Sequence, residues 1–225
     1  FTGDAGSGES NARRYMIEND LVEAIIALPE KMFYNTGIGT FIWVLSNRKE
    51  KRRKGKIQLI DATAIKTPLR KNMGEKNCEL SPAQRQEIVC IFMAFEESEI
   101  SRIFPNSEFG YWKVSVQQPL LDEQGNPVRD KKGRIHPDKA KTDTEIIPFR
   151  YEGGIEAFMD AEVRPYAPGA YIDPKATKIG YELSFTKYFY KPVQLRPMED
   201  IVADLKALEK ETDGMLAEIL GGIQG

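Results

Sequence analysis

The chain has 225 residues with 32 Lys and Arg against 34 Asp and Glu, and 41% of its residues are hydrophobic. Its length allows one sizeable hydrophobic core, or one core with a smaller satellite. The net charge of −2 excludes a globally basic nucleic-acid-binding protein, so any contact with DNA must be local. Two cysteines, Cys78 and Cys90, are too few for a secreted disulfide framework and are interpreted as reduced.

The first predicted element is a helix that follows the Gly-rich stretch 3–8. Ser7 is its predicted N-cap, because a Ser side chain can accept a hydrogen bond from the free N–H groups of the first turn. Three residues share the face predicted to pack against a core: Ala12, Tyr15 and Met16. The predicted polar face carries Arg13, Arg14 and Glu18.

Two short apolar runs, 21–29 and 40–46, follow this helix and flank the loop 30–39. Both runs are almost continuously hydrophobic, which predicts strands that are buried on both faces within an α/β sheet. The intervening loop is too short to contain a crossover helix, so the two strands are predicted to be antiparallel neighbours.

The densest charge run of the chain covers residues 48–56. Two interpretations remain open: a solvated loop before the predicted strand 57–60, or a local contact with DNA phosphates through Arg52, Arg53 and Lys54.

The middle of the chain predicts a helix, a strand and a turn-rich segment. Ser81, Pro82 and Gln84 supply the cap, first-turn proline and capping box of a helix. Alternating polarity over 110–118 predicts a half-buried strand. Repeated Asp, Gly, Asn and Pro residues predict irregular surface hairpins between residues 119 and 142.

The last third predicts a short amphipathic helix over 155–163, an aromatic segment over 179–190 and a long terminal helix from Pro197. The aromatic residues could stack bases or could anchor the segment to the body of the protein. The terminal helix carries apolar residues at spacings of three and four, which is typical of a seam that packs against a partner helix. The predicted subunit interface consists of Ile201, Leu205, Leu208, Met215 and Ile219.

Several stretches together resemble the modification subunit of type I restriction-modification systems, an adenine-N6 DNA methyltransferase. The resemblance lies mainly in residues 1–10, 17–29, 33–38, 55–62 and 177–190. It implies an α/β fold: the C-terminal end of a Rossmann-like sheet of S-adenosylmethionine-dependent methyltransferases with an antiparallel hairpin, then an α+β extension and a C-terminal helix. The implied domains are 1–66, 67–195 and 196–225, the last an assembly helix.

The same resemblance implies a function for the full-length protein, the transfer of methyl from S-adenosylmethionine to adenine N6 in DNA. It implies three partners: the specificity subunit, the restriction subunit and double-stranded DNA. The chain begins with Phe1 and shows neither a signal peptide nor a membrane-spanning run, so we expect a C-terminal portion of a cytoplasmic protein without membrane contact.

One site residue follows from the resemblance. Phe33 matches the aromatic that stacks on the flipped adenine, with Tyr34 as the alternative. An extruded base loses its stacking, and an aromatic face restores part of it. The competing interpretation makes Phe33 an ordinary core residue. Thr36, Gly37 and Gly39 are predicted to shape the loop.

Neither the Gly-rich cofactor motif nor the Asn-Pro-Pro-aromatic motif of adenine methyltransferases occurs in this sequence. We therefore assign no catalytic, cofactor-binding or metal-binding residue, and expect the chain alone to be inactive and to bind no cofactor. Two rival functions stay open: a protein–protein assembly module without DNA contact, and a subunit of another adenine methyltransferase system.

Overall fold

The structure is a computed structural model that describes residues 3–192 and 197–221, with side chains described through residue 208 and at 210 and 212. The chain divides into two compact units, Phe1–Phe189 and Tyr190–Gly225. The first unit contains three sheets with the helices that cover them, and the second contains one long helix.

The first sheet has four strands, β1 (Val22–Ala27), β2 (Phe41–Leu45), β3 (Lys56–Asp61) and β6 (Ser101–Pro105), in the order β2-β1-β3-β6. Strand β1 is antiparallel to β2 and parallel to β3, and β3 is antiparallel to β6. The predicted α/β class and the antiparallel hairpin are therefore confirmed. Burial on both faces is right for β1 and wrong for β2, an edge strand on which Leu45 is 53% exposed.

Helices cover both faces of this sheet. Ile25 and Leu59 face α1 (Gly8–Glu18) and α4 (Phe185–Phe189), whereas Ile26 and Ile60 face α2 (Pro82–Ala94). Neighbouring residues of a strand point to opposite faces, so each strand contributes to both hydrophobic layers. The capping box of α2 is present as predicted, with Ser81 and Gln84 bonding each other's backbone N–H groups.

Helix α1 begins after the predicted N-cap Ser7, and of the face predicted to pack inward only Met16 contacts the core, whereas Ala12 and Tyr15 are exposed. Its buried residues are Ser10, Arg13 and Ile17, whereas Tyr15 is 64% exposed. Arg13 is held inside because its Nε donates to the Tyr181 carbonyl at 2.8 Å. A charged side chain is buried here because a backbone acceptor replaces its water.

The second and third sheets follow in the same unit. An antiparallel sheet contains β7 (Gly110–Gln117), β8 (Asp143–Pro148), β9 (Tyr171–Ile172) and β10 (Lys178–Tyr181). The helix α3 (Gly154–Phe158), continued by a π-helical turn, covers it with Met159 in the core. Between β3 and α2, strands β4 (Thr67–Met73) and β5 (Lys76–Glu79) form a separate two-stranded hairpin.

The second unit is the helix α5 (Met198–Gly221). Three predicted interface residues on it are exposed, Ile201 by 44%, Leu205 by 61% and Leu208 by 62%. The side chains of the other two, Met215 and Ile219, lie outside the described residues. Across the described ranges, no helix combines the length and the apolar character that crossing a membrane requires.

Candidate functional site

The loop 30–39 projects from the end of the β1–β2 hairpin and is closed at its base. The N–H of Leu28 donates to the Thr40 carbonyl at 2.9 Å, and the N–H of Ala62 donates to the Ala27 carbonyl at 3.0 Å. Pro29 is fully buried, whereas Lys31 adopts a left-handed backbone conformation with φ of 56°. The loop therefore leaves the sheet from a fixed base and turns sharply.

The β4–β5 hairpin braces this loop from the side. Three donors of the hairpin reach loop carbonyls: Asn77 N to Lys31 at 3.0 Å, Glu75 N to Tyr34 at 3.0 Å, and Cys78 Sγ to Glu30 at 3.3 Å. The contact is so close at Gly74 that a Cβ there would lie 2.8 Å from the Tyr34 carbonyl oxygen. Gly74 also has a φ of +63°, so both its backbone and its surroundings favour glycine.

Two aromatic side chains are displayed on the braced loop. Phe33 is 44% exposed and Tyr34 is 57% exposed, and neither belongs to a hydrophobic cluster of the described residues. Phe33 forms an isolated antiparallel bridge with Thr36, which tightens the tip of the loop. The Lys76 ammonium lies 5.2 Å from the centre of the Tyr34 ring. Phe33 therefore has no core role among the described residues, and its stacking role stays a prediction.

The two loop glycines do not use the conformational freedom expected of them. Neither Gly37 nor Gly39 has a positive φ. A Cβ at Gly37 would make ordinary contact with Glu75 at 3.5 Å, and a Cβ at Gly39 would meet open space. Their predicted part in shaping the loop then rests on space for a ligand, and the strained turn lies at Lys31 instead.

The basic run 48–56 divides between interior and surface. Arg53 is 2% exposed, its Nε lies 3.3 Å from the Glu23 carboxylate, and its guanidinium lies 4.3 Å from the ring centres of Phe92 and Phe95. Burial lowers the pKa of Arg53, and the charge of Glu23 raises it. The predicted phosphate contact of Arg53 is wrong, because its charge is turned into the protein.

The two neighbours of Arg53 are exposed. Arg52 donates to the carbonyls of Met93 at 2.8 Å and Ala94 at 3.0 Å, at the carboxyl end of α2, where a cation is favourable. Lys54 lies beside it at the surface. A phosphate contact by Arg52 and Lys54 stays a prediction, and Arg52 already has partners within the chain.

The aromatic residues at 181, 185, 188 and 189 of the segment before α5 pack inward, whereas Tyr190 is 69% exposed. The ring centre of Tyr188 lies 4.3 Å from that of Phe104, and its hydroxyl donates to the Glu108 carboxylate at 3.2 Å. The ring centre of Phe185 lies 5.1 Å from that of Phe41. These contacts support the anchoring interpretation over base stacking.

The described ranges contain no group of three or more His, Cys, Asp or Glu residues arranged to hold a metal ion. The β4–β5 hairpin was not among the elements predicted from the sequence. The sequence signal for this hairpin is the dipeptide Gly74-Glu75 between the segments that form β4 and β5. It is a two-residue connection with a glycine at its first position, as β-hairpin turns favour.

Comparisons with known proteins identify relatives of the segment that contains this loop. The profile of the family described as N-6 DNA Methylase matches residues 4–114. The type I restriction enzyme MjaIX methylase subunit of Methanocaldococcus jannaschii is 33% identical over 112 residues, 50% of this chain and 19% of that protein. The HindI methylase subunit of Haemophilus influenzae is 42% identical over 59 residues, 26% of this chain and 13% of that protein. The matched part thus spans a fifth or less of these curated relatives.

Among solved structures, the methyltransferase subunit of a type I restriction-modification system from Streptococcus thermophilus is 22% identical. The match covers 46% of this chain and 20% of that one, with a TM-score of 0.40.

Proposed function

We propose that this chain, which belongs to the N-6 DNA methylase family, forms the C-terminal part of a type I methylase subunit. The whole protein would transfer methyl from S-adenosylmethionine to adenine N6 in double-stranded DNA. No residue of this chain is assigned to S-adenosylmethionine or to the chemical step, because the sequence contains neither motif that would supply them. The contribution of the chain would be to receive the base and to assemble the enzyme.

The exposure of Phe33 on a braced loop is the observation that carries this proposal. A 44% exposed Phe costs free energy in water unless a partner covers it. A flipped adenine offers a flat face that replaces water on the ring, and stacking of this kind contributes about 1–3 kcal/mol per base. Tyr34 could border the same base.

Positioning of the loop would come from the β4–β5 hairpin. Three hydrogen bonds fix the loop backbone, so a base would meet a ring that is already held in place. Lys76, near the Tyr34 ring, carries a positive charge that could meet the phosphate of the extruded nucleotide. Thr36, Gly37 and Gly39 would leave room for the base, and Arg52 and Lys54 are weaker candidates for phosphate contacts.

Assembly would fall to α5. Its seam presents exposed apolar side chains at Ile201, Leu205 and Leu208, spaced by four and three residues. Such a seam suits a helix of the specificity subunit, which would set the DNA sequence that is methylated. The restriction subunit would join the same assembly. We retain the three proposed domains, 1–66, 67–195 and 196–225, although the first sheet takes its fourth strand from residues 101–105.

The proposal is tested by expressing the full-length protein that contains this chain with its specificity subunit. Purified enzyme is incubated with S-adenosylmethionine and unmethylated genomic DNA, and digested nucleosides are analysed by mass spectrometry. We expect N6-methyladenine to accumulate. If the assembly forms but no N6-methyladenine appears, the methylase function is rejected in favour of a pure assembly module.

A further inference from the structure

The segment 119–141 is ordered without a hydrophobic core of its own. No residue in it is buried, and Leu120 and Leu121 are 38% and 50% exposed. Its order comes from the backbone: Leu120 N bonds to His136 O, Val128 N to Leu120 O, and His136 N to Val128 O, each at 2.8 Å. These bonds join two successive turns into one unit, which we call the double hairpin (residues 118–138).

An aspartate closes each turn of the double hairpin by accepting hydrogen bonds from backbone N–H groups of the same turn. Asp122 Oδ1 accepts the N–H groups of Gln124 and Asn126, each at 2.9 Å. Asp130 Oδ1 accepts from the N–H groups of Lys132 at 2.8 Å and Arg134 at 2.9 Å. These backbone hydrogen bonds lower the pKa of both carboxyl groups. Asp130 also lies 3.6 Å from Arg134 Nε, and Asp138 lies 3.9 Å from Lys141 Nζ, so the two carboxylates of residues 129–141 balance only two of the six cations.

The second turn and the residues after it form a strongly basic surface. Residues 129–141 contain six Lys or Arg and two Asp, a net charge of +4, in a chain whose net charge is −2. All six cations are exposed. A groove beside the turn is lined by the three cations Arg129, Arg134 and Lys175 and by one carboxylate, Asp173. Three cations around one concave surface attract an anion more strongly than the same charges dispersed.

We propose that this basic surface holds the phosphate backbone of duplex DNA, independently of its sequence. This inference rests on the proposed function, which makes DNA the substrate. Loops longer than about 12–15 residues without regular secondary structure are usually functional segments, disordered segments or linkers. Phosphates in the groove would meet Lys175 and the turn cations, and Lys131 and Lys132 would reach neighbouring phosphates along the strand.

The test measures binding of the assembled enzyme to random-sequence duplex DNA at several salt concentrations by fluorescence anisotropy. The variant is Lys131→Gln/Lys132→Gln/Lys175→Gln, because none of these side chains closes a turn. Each lost phosphate contact should reduce the magnitude of the slope of log K against log salt by about 0.9. The magnitude of the slope should therefore fall by between two and three in the triple variant. The matched control is Arg85→Gln/Arg102→Gln, two exposed cations on α2 and β6, and it should leave the slope unchanged.

An unchanged slope in the triple variant overturns the inference, as does an equal loss per charge in the control. Methylation measured on the same preparations separates this result from the proposed function. If the parent methylates DNA but the slope is the same in the parent and in the triple variant, only the role of the basic surface is rejected. If the slope falls as expected while the parent forms no N6-methyladenine, the basic surface stands and the methylase function is rejected.

Discussion

Two aromatic stretches that look alike in the sequence behave oppositely in the structure. The loop 30–39 displays Phe33 and Tyr34 to solvent, whereas the segment 178–189 packs Tyr181, Phe185 and Tyr188 into the core of the first unit. The loop is held by backbone hydrogen bonds to a hairpin, so its position does not depend on packing of the Phe33 and Tyr34 rings. The segment is held by its side chains, so these three rings pack against the core and are not exposed for binding.

The manner of attachment therefore separates aromatic rings that remain exposed from rings that hold a segment in place. A helix of one turn such as α4 has little stability of its own and depends on the packing of its side chains. A loop fixed through its carbonyls can keep its rings in water. Substitutions in the loop and in the aromatic segment test this distinction.

The largest effect on folding is expected for Tyr188→Ala, which should lower the free energy of unfolding by about 3 kcal/mol. The substitution removes a ring that lies on Phe104 and Phe109 and leaves Glu108 without the hydroxyl. Urea denaturation followed by tryptophan fluorescence measures it. Phe33→Ala is the control and should change stability by less than about 0.5 kcal/mol. Equal losses in both variants would remove the distinction between the two stretches.

A pH dependence should follow from Tyr181. Burial, with the nearby Glu18 carboxylate, raises the pKa of Tyr181 to about 12. The unfolded chain releases this proton near pH 10, so the folded state loses stability as pH rises from about 10 to 12, by roughly 2–3 kcal/mol. Denaturation at pH 9 and pH 11 should show a smaller drop for Tyr181→Phe than for the parent. The exposed Tyr166 offers the control Tyr166→Phe, and the prediction fails if both variants keep the parent's drop.

A smaller effect is expected at the brace of the loop. Gly74→Ala should cost about 2 kcal/mol, because the left-handed φ and the Tyr34 carbonyl both oppose a Cβ. Gly125 has a φ of +82° but open space around it, so Gly125→Ala should lower the free energy of unfolding by only about 1 kcal/mol. Chemical denaturation gives the two costs, and methylation rates should fall only for Gly74→Ala. Equal rates in both variants would mean that the hairpin does not position the loop.

The smallest effect on folding is expected for Leu205→Asp/Leu208→Asp, since both side chains are exposed. The free energy of unfolding of the first unit should change by less than about 0.5 kcal/mol. Association with the specificity subunit should nevertheless be lost, which co-purification measures. Lys206→Asp, a carboxylate at an exposed position away from the seam, should retain the partner. A double variant that still co-purifies stoichiometrically would contradict the assembly role of α5.

The sequence predicted those features that depend on local pattern. The β1–β2 hairpin and the capping box of α2 follow from apolar runs and from residue types at fixed spacing, and both are present. The edge position of β2 was not predictable, because hydrophobicity does not show which strands pair on either side. The domain boundaries remain predictions.

Long-range partners explain the other errors. Arg13 and Arg53 are charged residues in polar patterns, yet both are buried. Arg13 donates to the Tyr181 carbonyl, and Arg53 pairs with the Glu23 carboxylate. No spacing rule connects residues 13 and 181. The exposure of Phe33 was predicted through a family resemblance. The hydrogen bonds from the β4–β5 hairpin to the loop join residues about 40 positions apart, and no local pattern predicts them.

The most direct test of the account is the rate of methyl transfer in single-turnover experiments with Phe33 variants of the assembled enzyme. Phe33→Ala should slow transfer by about 5- to 150-fold, which corresponds to the loss of about 1–3 kcal/mol of base stacking. Phe33→Trp should retain most of the rate, because an aromatic face remains. Ile38→Ala, on the same loop and 73% exposed, should match the parent. A Phe33→Ala enzyme that folds normally and methylates at the parent rate would contradict the base-stacking role of the loop.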